Sequence, residues 1–279
     1  MTAYANMLAG YARVIDPSAT ATTFPPIRTS ADTSVFRYAD SATSRAGIGA
    51  VAAKLRLGKV AIIGLGGTGS YILDQVAKTP VEEIHLYDGD TLYTHNAFRA
   101  PGAASVEELD NALKKVHYFR DRYDPMRRNI IAHPDYVDEH NIDELRDMTF
   151  VFLAIEAGPG KRFIIEKLEE FGIPFIDTGM GVSQIGDTLH GIVRVTASDD
   201  GHRRHVWDGK RISFADAAND EYDRNIQIAD LNMLNAALAV IKWKKMYGFY
   251  ADTDHEYSIS YSISYTIDGN HLLNEDQAE

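Results

Sequence analysis

The residues Gly64-Leu65-Gly66-Gly67-Thr68-Gly69 follow an apolar run at 60–63 and open a stretch with helical spacing. A strand that turns into a helix through glycines leaves backbone amides aimed at a phosphate. The spacing Gly64-x-Gly66-x-x-Gly69 is that of a dinucleotide fingerprint. Gly64 makes the turn, Gly66 brings backbone close to a phosphate, and Gly69 lets the helix sit against the strand. Gly67 adds a second close approach, Thr68 lies within the loop, and Ser70 offers a hydroxyl in the first helical turn. The loop alone fits the pyrophosphate of NAD and the phosphates of ATP equally well.

Asp88-Gly89-Asp90 ends the next strand, about twenty residues further on. Asp88 stands where an acid hydrogen-bonds a ribose hydroxyl, with Asp90 a helper or a turn residue. Both nucleotides carry such a ribose, so the choice falls to the cations. Asn96-Ala97-Phe98-Arg99 follows the strand, and Lys114 and Lys115 come at the start of a later helix. Each cation taken singly reads as a solvated surface charge. Together, behind a glycine loop and a ribose-type acid, Arg99 and Lys115 answer the charge of a triphosphate. Glu156 ends a further apolar strand, at the mouth of the sheet. It suits a magnesium ion carried by the triphosphate, and equally a favourable charge at a helix N-terminus. The run Gly158-Pro159-Gly160-Lys161 is no Walker loop, since Ile155 stands where that motif needs glycine.

The elements that must position these residues alternate. Residues 60–63, 83–88, 130–137, 149–155 and 173–179 read as strands. Helices are predicted over 68–78, 106–124 and 158–172, the last with Pro159 in its first turn and Gly172 at its end. This alternation predicts an α/β fold with a doubly wound, mainly parallel, Rossmann-like sheet. From residue 188 the character changes. An antiparallel strand is predicted over 188–195, a long polar crossover loop over 197–225 and a long helix over 228–249. Over 256–268 Tyr and Ile alternate with Ser and Thr, the period of one long half-buried strand, or of two split by a bend. The sheet is therefore expected to be extended by C-terminal antiparallel strands. Residues 1–57 read as an N-terminal arm, with an amphipathic helix over 5–15, a Pro/Ser/Thr-rich linker over 17–34 and a short helix over 44–57. The expected organisation is this arm, a main domain over 58–270 and an acidic tail over 271–279, with disorder predicted in its last residues, 274–279.

The chain has 279 residues, 45% hydrophobic and 24% charged, a globular balance with room for a substantial core. A net charge of −12 argues against a nucleic-acid partner, which needs a basic face. There is no cysteine, which excludes disulfides, thiolate zinc sites and a thiol nucleophile. No secretory signal or membrane-length apolar stretch is visible, so the expected location is the cytoplasm, with no membrane partner. The His/Arg run at 201–205 reads as a solvated or partner-facing patch rather than a metal site.

In this order the motifs resemble those of the ThiF/MoeB superfamily, adenylating enzymes related to the ubiquitin-activating enzymes. That family shows a Gly-x-Gly-Gly-x-Gly loop, Asp-x-Asp after the second strand, Asn-x-x-Arg, a helix lysine, and Asp-Asn after a later strand. Here these positions are the loop from Gly64 to Gly69, Asp88-Gly89-Asp90, Asn96 to Arg99, Lys115 (or Lys114) and Glu156-Ala157. The match runs in order over residues 45–270. The resemblance implies that Asp88 holds ribose, that Arg99 and Lys115 hold the triphosphate, and that Glu156 holds Mg2+. It implies a homodimer in which an N-terminal arginine, Arg37 or Arg45, reaches the second subunit's site. The arm looks like that of bacterial members found beside ubiquitin-conjugation-like partners, in which a further domain can come first. The implied reaction is ATP-dependent adenylation of the C-terminal carboxylate of a ubiquitin-like or carrier protein ending in glycine, with a conjugating-enzyme-like protein as a further partner.

The departures are as informative. The 197–225 loop lacks the cysteine that takes the acyl group as a thioester in many relatives, and the paired Cys-x-x-Cys zinc ligands are absent. Glu156-Ala157 replaces the acid–amide pair. Adenylation is thus implied and a thioester step is not. Other readings stand beside it: an adenylating enzyme for a small-molecule or tRNA-linked carboxylate, an NAD-dependent oxidoreductase, and a non-catalytic nucleotide-binding scaffold.

Overall fold

A computed structural model describes residues 2–17, 19, 27, 34–214, 226–264 and 272–273. Three helices come first, α1 (Thr2–Ile15), α2 (Ser41–Ala46) and α3 (Gly49–Ala52). They are followed by β1 (Lys59–Ile63), α4 (Gly67–Val76), β2 (Glu83–Tyr87), α5 (Thr94–Ala97), α6 (Val106–Asp110), α7 (Lys115–Tyr123) and β3 (Ile130–His133). Next come β4 (Phe150–Leu153), α8 (Pro159–Glu170), β5 (Phe175–Ile185), β6 (Thr188–Ser198) and α9 (Arg204–Trp207). The last are α10 (Ala229–Met246), β7 (Ser258–Ser262) and β8 (Leu272–Leu273).

Among the described residues the strands form one sheet in the order β3-β2-β1-β4-β5-β6-β7-β8. The first five positions are parallel, and β5-β6-β7-β8 pair antiparallel. The strands of the parallel half are apolar on both faces because helices cover both. Val60 and Ile62 point into a core with Ile72, Leu73, Phe119, Phe152 and Trp243. Ala61 and Ile63 point into the opposite core, with Val151, Ile164, Leu168 and Phe175. On the first face α10 is anchored by Trp243, whose ring meets Phe152 edge-on at 5.8 Å between centroids. The chain leaves β1 toward β2 on one side and returns to β4 on the other. This reversal of strand order opens a crevice beyond the carboxyl ends of β1 and β4, where α/β sheets bind ligands.

Several predicted elements are corrected. The helix expected over 106–124 is two, α6 and α7, broken around Ala112, whose φ is +47°. The short helix expected over 44–57 is split at Gly47, where a left-handed φ of +69° ends α2. Leu55, assigned to the arm by sequence, is buried in the core beside Val60, so the last turn before β1 belongs to the domain. The strand expected over 173–179 runs on to Ile185 and turns back at Gly186-Asp187 as a hairpin with β6. Beyond Asp177, β5 has no β4 partner, and among the described residues it is paired on the β6 side alone. The Tyr/Ile alternation does not sort inside from outside: Ser258 is buried, because β6 and β8 flank β7. The remainder of that repeat and the acidic tail lie outside the described residues apart from β8, as do 215–225 of the crossover loop. The run at 201–205 is mixed: Arg203 donates to the Glu169 carbonyl at the end of α8, at 2.6 Å, while the Arg204 side chain is exposed as expected.

Arg127 is the largest charged group in the interior. It is fully buried, and its guanidinium donates to the carbonyls of Val81 (2.6 Å), Arg128 (3.0 Å) and Thr79 (3.4 Å). Burial pushes its pKa down to about 10. These bonds tie the α4–β2 connection to the start of β3. Arg127→Met keeps the stem and strands the carbonyls, so we expect a loss of about 3 kcal/mol in urea unfolding. A change below about 1 kcal/mol would mean that water replaces the guanidinium.

Candidate active site

The glycine loop has the shape its spacing predicts. Gly64 closes β1 with a φ of +89°, and its amide donates to the Tyr87 carbonyl at 2.8 Å. A Cβ on Gly69 would lie 1.8 Å from the Gly64 carbonyl oxygen, so α4 rests directly on the strand end. A Cβ on Gly67 would lie 2.3 Å from the Asn232 side chain, which α10 brings over the loop. Gly66, by contrast, has no heavy atom within 4 Å of where a Cβ would stand. It is the N-cap of α4 and no side chain caps that helix. The amides of the first turn, and the positive end of the helix dipole, therefore remain open.

This open end faces a cleft of about 640 Å³. Gly66, Gly67 and Thr68 form one wall, Glu156 comes from the connection between β4 and α8, and Lys161 from the first turn of α8. Gly179 and Arg194 come from the β5–β6 hairpin, and Asn235 from α10. Gly158 and Pro159 begin α8 without a side-chain cap, so a second helix N-terminus adjoins the cleft.

The acids and cations after β2 cluster beside the loop. Asp88 is almost fully buried and accepts from the Leu65 amide (2.6 Å) and the Asp90 amide (2.8 Å). It thus fixes the loop. Lys115 opens α7 and is buried between the two acids, with Nζ 2.6 Å from Asp90 and 3.5 Å from Asp88. Burial raises the Asp90 pKa, but hydrogen bonds from Lys115 and Tyr136 outweigh it and hold the carboxyl below its usual range. The same bond to Asp90 pushes the Tyr136 phenol up to about 12. Lys114 donates to the Gly89 carbonyl.

Arg99 lies half-buried in the fields of Glu156 and Asp90. Burial lowers its pKa while those two carboxylates oppose the shift. Its Nε is buried without a hydrogen-bond partner among the described residues. A buried charged donor left unsatisfied is costly and marks a place for an acceptor.

Other sequence candidates hold the loop and its neighbours together or stand outside the cleft. Ser70 is fully buried and its hydroxyl donates to the Gly67 carbonyl at 2.8 Å, inside the helix and away from the cleft. Asn96 is buried and accepts from the Tyr93 amide at 2.9 Å, closing the turn that carries Arg99. Thr68 donates to Asn232 at 2.9 Å, which fixes the loop to α10. Arg37 is paired with Asp124 at 2.6 Å, and Arg45 is exposed on α2; neither lines the cleft. Residues missing from the sequence reading are Lys161, Asp177, Arg194, Asn232 and Asn235. Only Lys161 carried a signal, as the cation one turn past Glu156.

The fold is shared with solved adenylating enzymes. PaaA matches with a TM-score of 0.59 and 19% identity, over 77% of this chain and 72% of its own. The E. coli MccB structure with MccA matches with a TM-score of 0.59 and 14% identity, over 80% of this chain and 65% of its own. The E. coli tRNA N6-threonylcarbamoyladenosine dehydratase TcdA, solved with AMP, gives a TM-score of 0.55 and 18% identity over 75% of this chain and 93% of its own. No curated protein matches the sequence. Residues 1–41 match a domain of unknown function (DUF6791). The ThiF family matches residues 41–200, which include the glycine loop, the Asp88 cluster, Arg99 and Glu156. The chain belongs to the ThiF family, and it is an adenylyltransferase.

Proposed function

We propose that the chain uses ATP to adenylate the C-terminal carboxylate of a ubiquitin-like or carrier protein, releasing pyrophosphate. The observation that carries this reading is the uncapped N-terminus of α4 at the strand-order reversal, together with an unpartnered Arg99 Nε on a guanidinium in the field of Glu156, which lines the same cleft. The amides at Gly66 and Gly67 take phosphate oxygens, Asp88 and Asp90 face the ribose, and Arg99 and Lys115 neutralise the triphosphate. Among the described residues no three metal-ligating side chains cluster. That suits a magnesium ion that arrives on the phosphates and takes one protein carboxylate, Glu156. When bound, the ion supplies further charge neutralisation. The transfer needs positioning and charge compensation rather than a protein nucleophile, in keeping with a chain that has no cysteine.

A protein tail would enter along the β5–β6 hairpin toward Gly66. The adenylating unit runs from the turn that carries Leu55 to residue 270, with the rest of the N-terminal arm before it. We retain the homodimer and the conjugating-enzyme-like partner as parts of this reading. An N-terminal arginine, Arg37 or Arg45, would reach a second subunit; Arg37 is paired with Asp124 within its own chain. Support for a macromolecular carboxylate comes from MccB, solved with MccA, and from TcdA, whose name specifies a tRNA nucleoside.

Calorimetric titration with ATP–magnesium and with NAD tests the nucleotide. Binding of ATP and not NAD is expected, and the reverse would return the site to dinucleotide chemistry. Arg99→Ala is expected to lower ATP–pyrophosphate exchange, driven by a ubiquitin-like protein ending in glycine, by about 100-fold. Its stability should stay within about 0.5 kcal/mol of the parent. Undiminished exchange would remove Arg99 from the reaction.

A further inference from the structure

One wall of the cleft, built by β5, β6 and α8, carries three charges to which the nucleotide assignment above gives no role. Asp177, on β5, is fully buried. Lys161 pairs with its Oδ1 at 2.7 Å and Arg194 Nη2 with its Oδ2 at 3.2 Å. Two cations and one carboxylate leave one net positive charge on this wall. Arg194 and Gly179 are cross-strand partners, and the guanidinium lies flat across the glycine. A Cβ built on Gly179 would stand 2.7 Å from Nη2 and 3.3 Å from Nε. The guanidinium therefore occupies room that only glycine leaves. It is held there by a carboxylate that Lys161 itself holds.

One donor of this fixed group is unused. Arg194 Nε is buried with no acceptor among the described residues, although Arg194 lines the cleft together with Gly66 and Glu156. A preorganised cation with an unsatisfied N–H, sharing one cleft with the phosphate loop, calls for an anionic acceptor beyond Asp177.

We propose that Arg194 grips the substrate carboxylate that is to be activated, with Asp177 and Lys161 as its positioning residues; this rests on the adenylation reading above. A single Nε–H holds one carboxylate oxygen and leaves the other free to attack the α-phosphorus. In that step the new bond joins carboxylate oxygen to α-phosphorus. The bond from α-phosphorus to the bridging oxygen breaks, and pyrophosphate leaves with the electron pair. No proton moves. The carboxylate loses its charge as the mixed anhydride forms, so the grip on it relaxes. Arg194 therefore acts mainly on substrate binding, and its loss is expected in KM more than in kcat.

The test uses the full chain saturated with α,β-methylene-ATP, with N-acetylglycine and N-acetylglycinamide as probes. The side-chain Nε–H signal of Arg194 is followed by NMR and assigned by its loss in Arg194→Lys. A saturable shift is expected with the acid, and binding at least about tenfold weaker with the amide. Gly179→Ala, which displaces the guanidinium while keeping every charge, is expected to weaken the acid by a similar factor. No saturable shift, or equal responses to acid and amide, overturns the proposal. Calorimetry of the ATP analogue on the same samples separates the two readings. Analogue binding without an acid response removes Arg194 alone, and absence of analogue binding in the parent chain removes both. Arg194→Gln keeps the Lys161–Asp177 pair, so thermal unfolding of that variant checks that weakened acid binding is not lost structure.

Discussion

Asp88→Ala is expected to abolish ATP binding and to cost about 3 kcal/mol of stability. The Asp88 carboxylate receives two backbone amides, from Leu65 and Asp90, and lies 3.5 Å from the Lys115 ammonium. Alanine leaves both amides without that acceptor. It also leaves buried Lys115 to Asp90 alone. The loop would lose the anchor that holds its amides toward the cleft, so even a nucleotide that never touched Asp88 would bind poorly. Titration calorimetry with ATP–magnesium and urea unfolding measure the two effects. Asp88→Asn keeps one side-chain oxygen and is expected to recover part of the stability but little of the binding. Parent-like affinity in Asp88→Ala would take this residue out of the site.

The glycines are expected to divide into two classes with opposite phenotypes. In Gly69→Ala the new methyl meets the Gly64 carbonyl at 1.8 Å and Ala154 Cβ at 3.2 Å, and the first of these is backbone that cannot turn away. We expect no soluble folded protein, or a Tm lowered by about 10 °C or more. In Gly66→Ala the methyl meets nothing within 4 Å, and the φ of −70° is one that alanine adopts freely. Stability should change by less than about 0.5 kcal/mol. ATP affinity should still fall at least about tenfold, because the methyl takes the space through which a phosphate approaches the amides. Thermal unfolding and calorimetry on the pair give the comparison. A Gly66→Ala variant that binds ATP like the parent would place the phosphates elsewhere.

What the sequence made legible was local. The strand–glycine–helix unit, the acids at 88 and 90 and the arginine at 99 follow one another within one βαβ stretch, and their spacing carries their geometry. The parallel half of the sheet was legible because its strands are apolar on both faces. The hairpin was not. Residues 183–185 of β5 are exposed, so neither alternation nor an apolar run marks them. The break near Ala112 was hidden because α6 and α7 each keep helical composition across it. Asp177, Arg194 and Asn235 are separated by up to 58 residues and meet only through strand pairing and helix packing. No short window contains that information. Lys115 was found, but its burial between Asp88 and Asp90 depends on the turn at 89–90 folding back onto α7.

The unequal pairing of β5 bears on motion. From Phe175 to Asp177 the strand has neighbours on both sides, and beyond it, among the described residues, its only strand neighbour is β6. Local openings should therefore be graded along a single strand. Amide hydrogen exchange is expected to be slow near Ile176 and progressively faster toward Ile185. The part of β5 beyond its β4 pairing is then the part that lines the cleft, from Thr178 to Val182. A bound tail that stills it would be visible as exchange protection over residues 179–190, well before any product is detected.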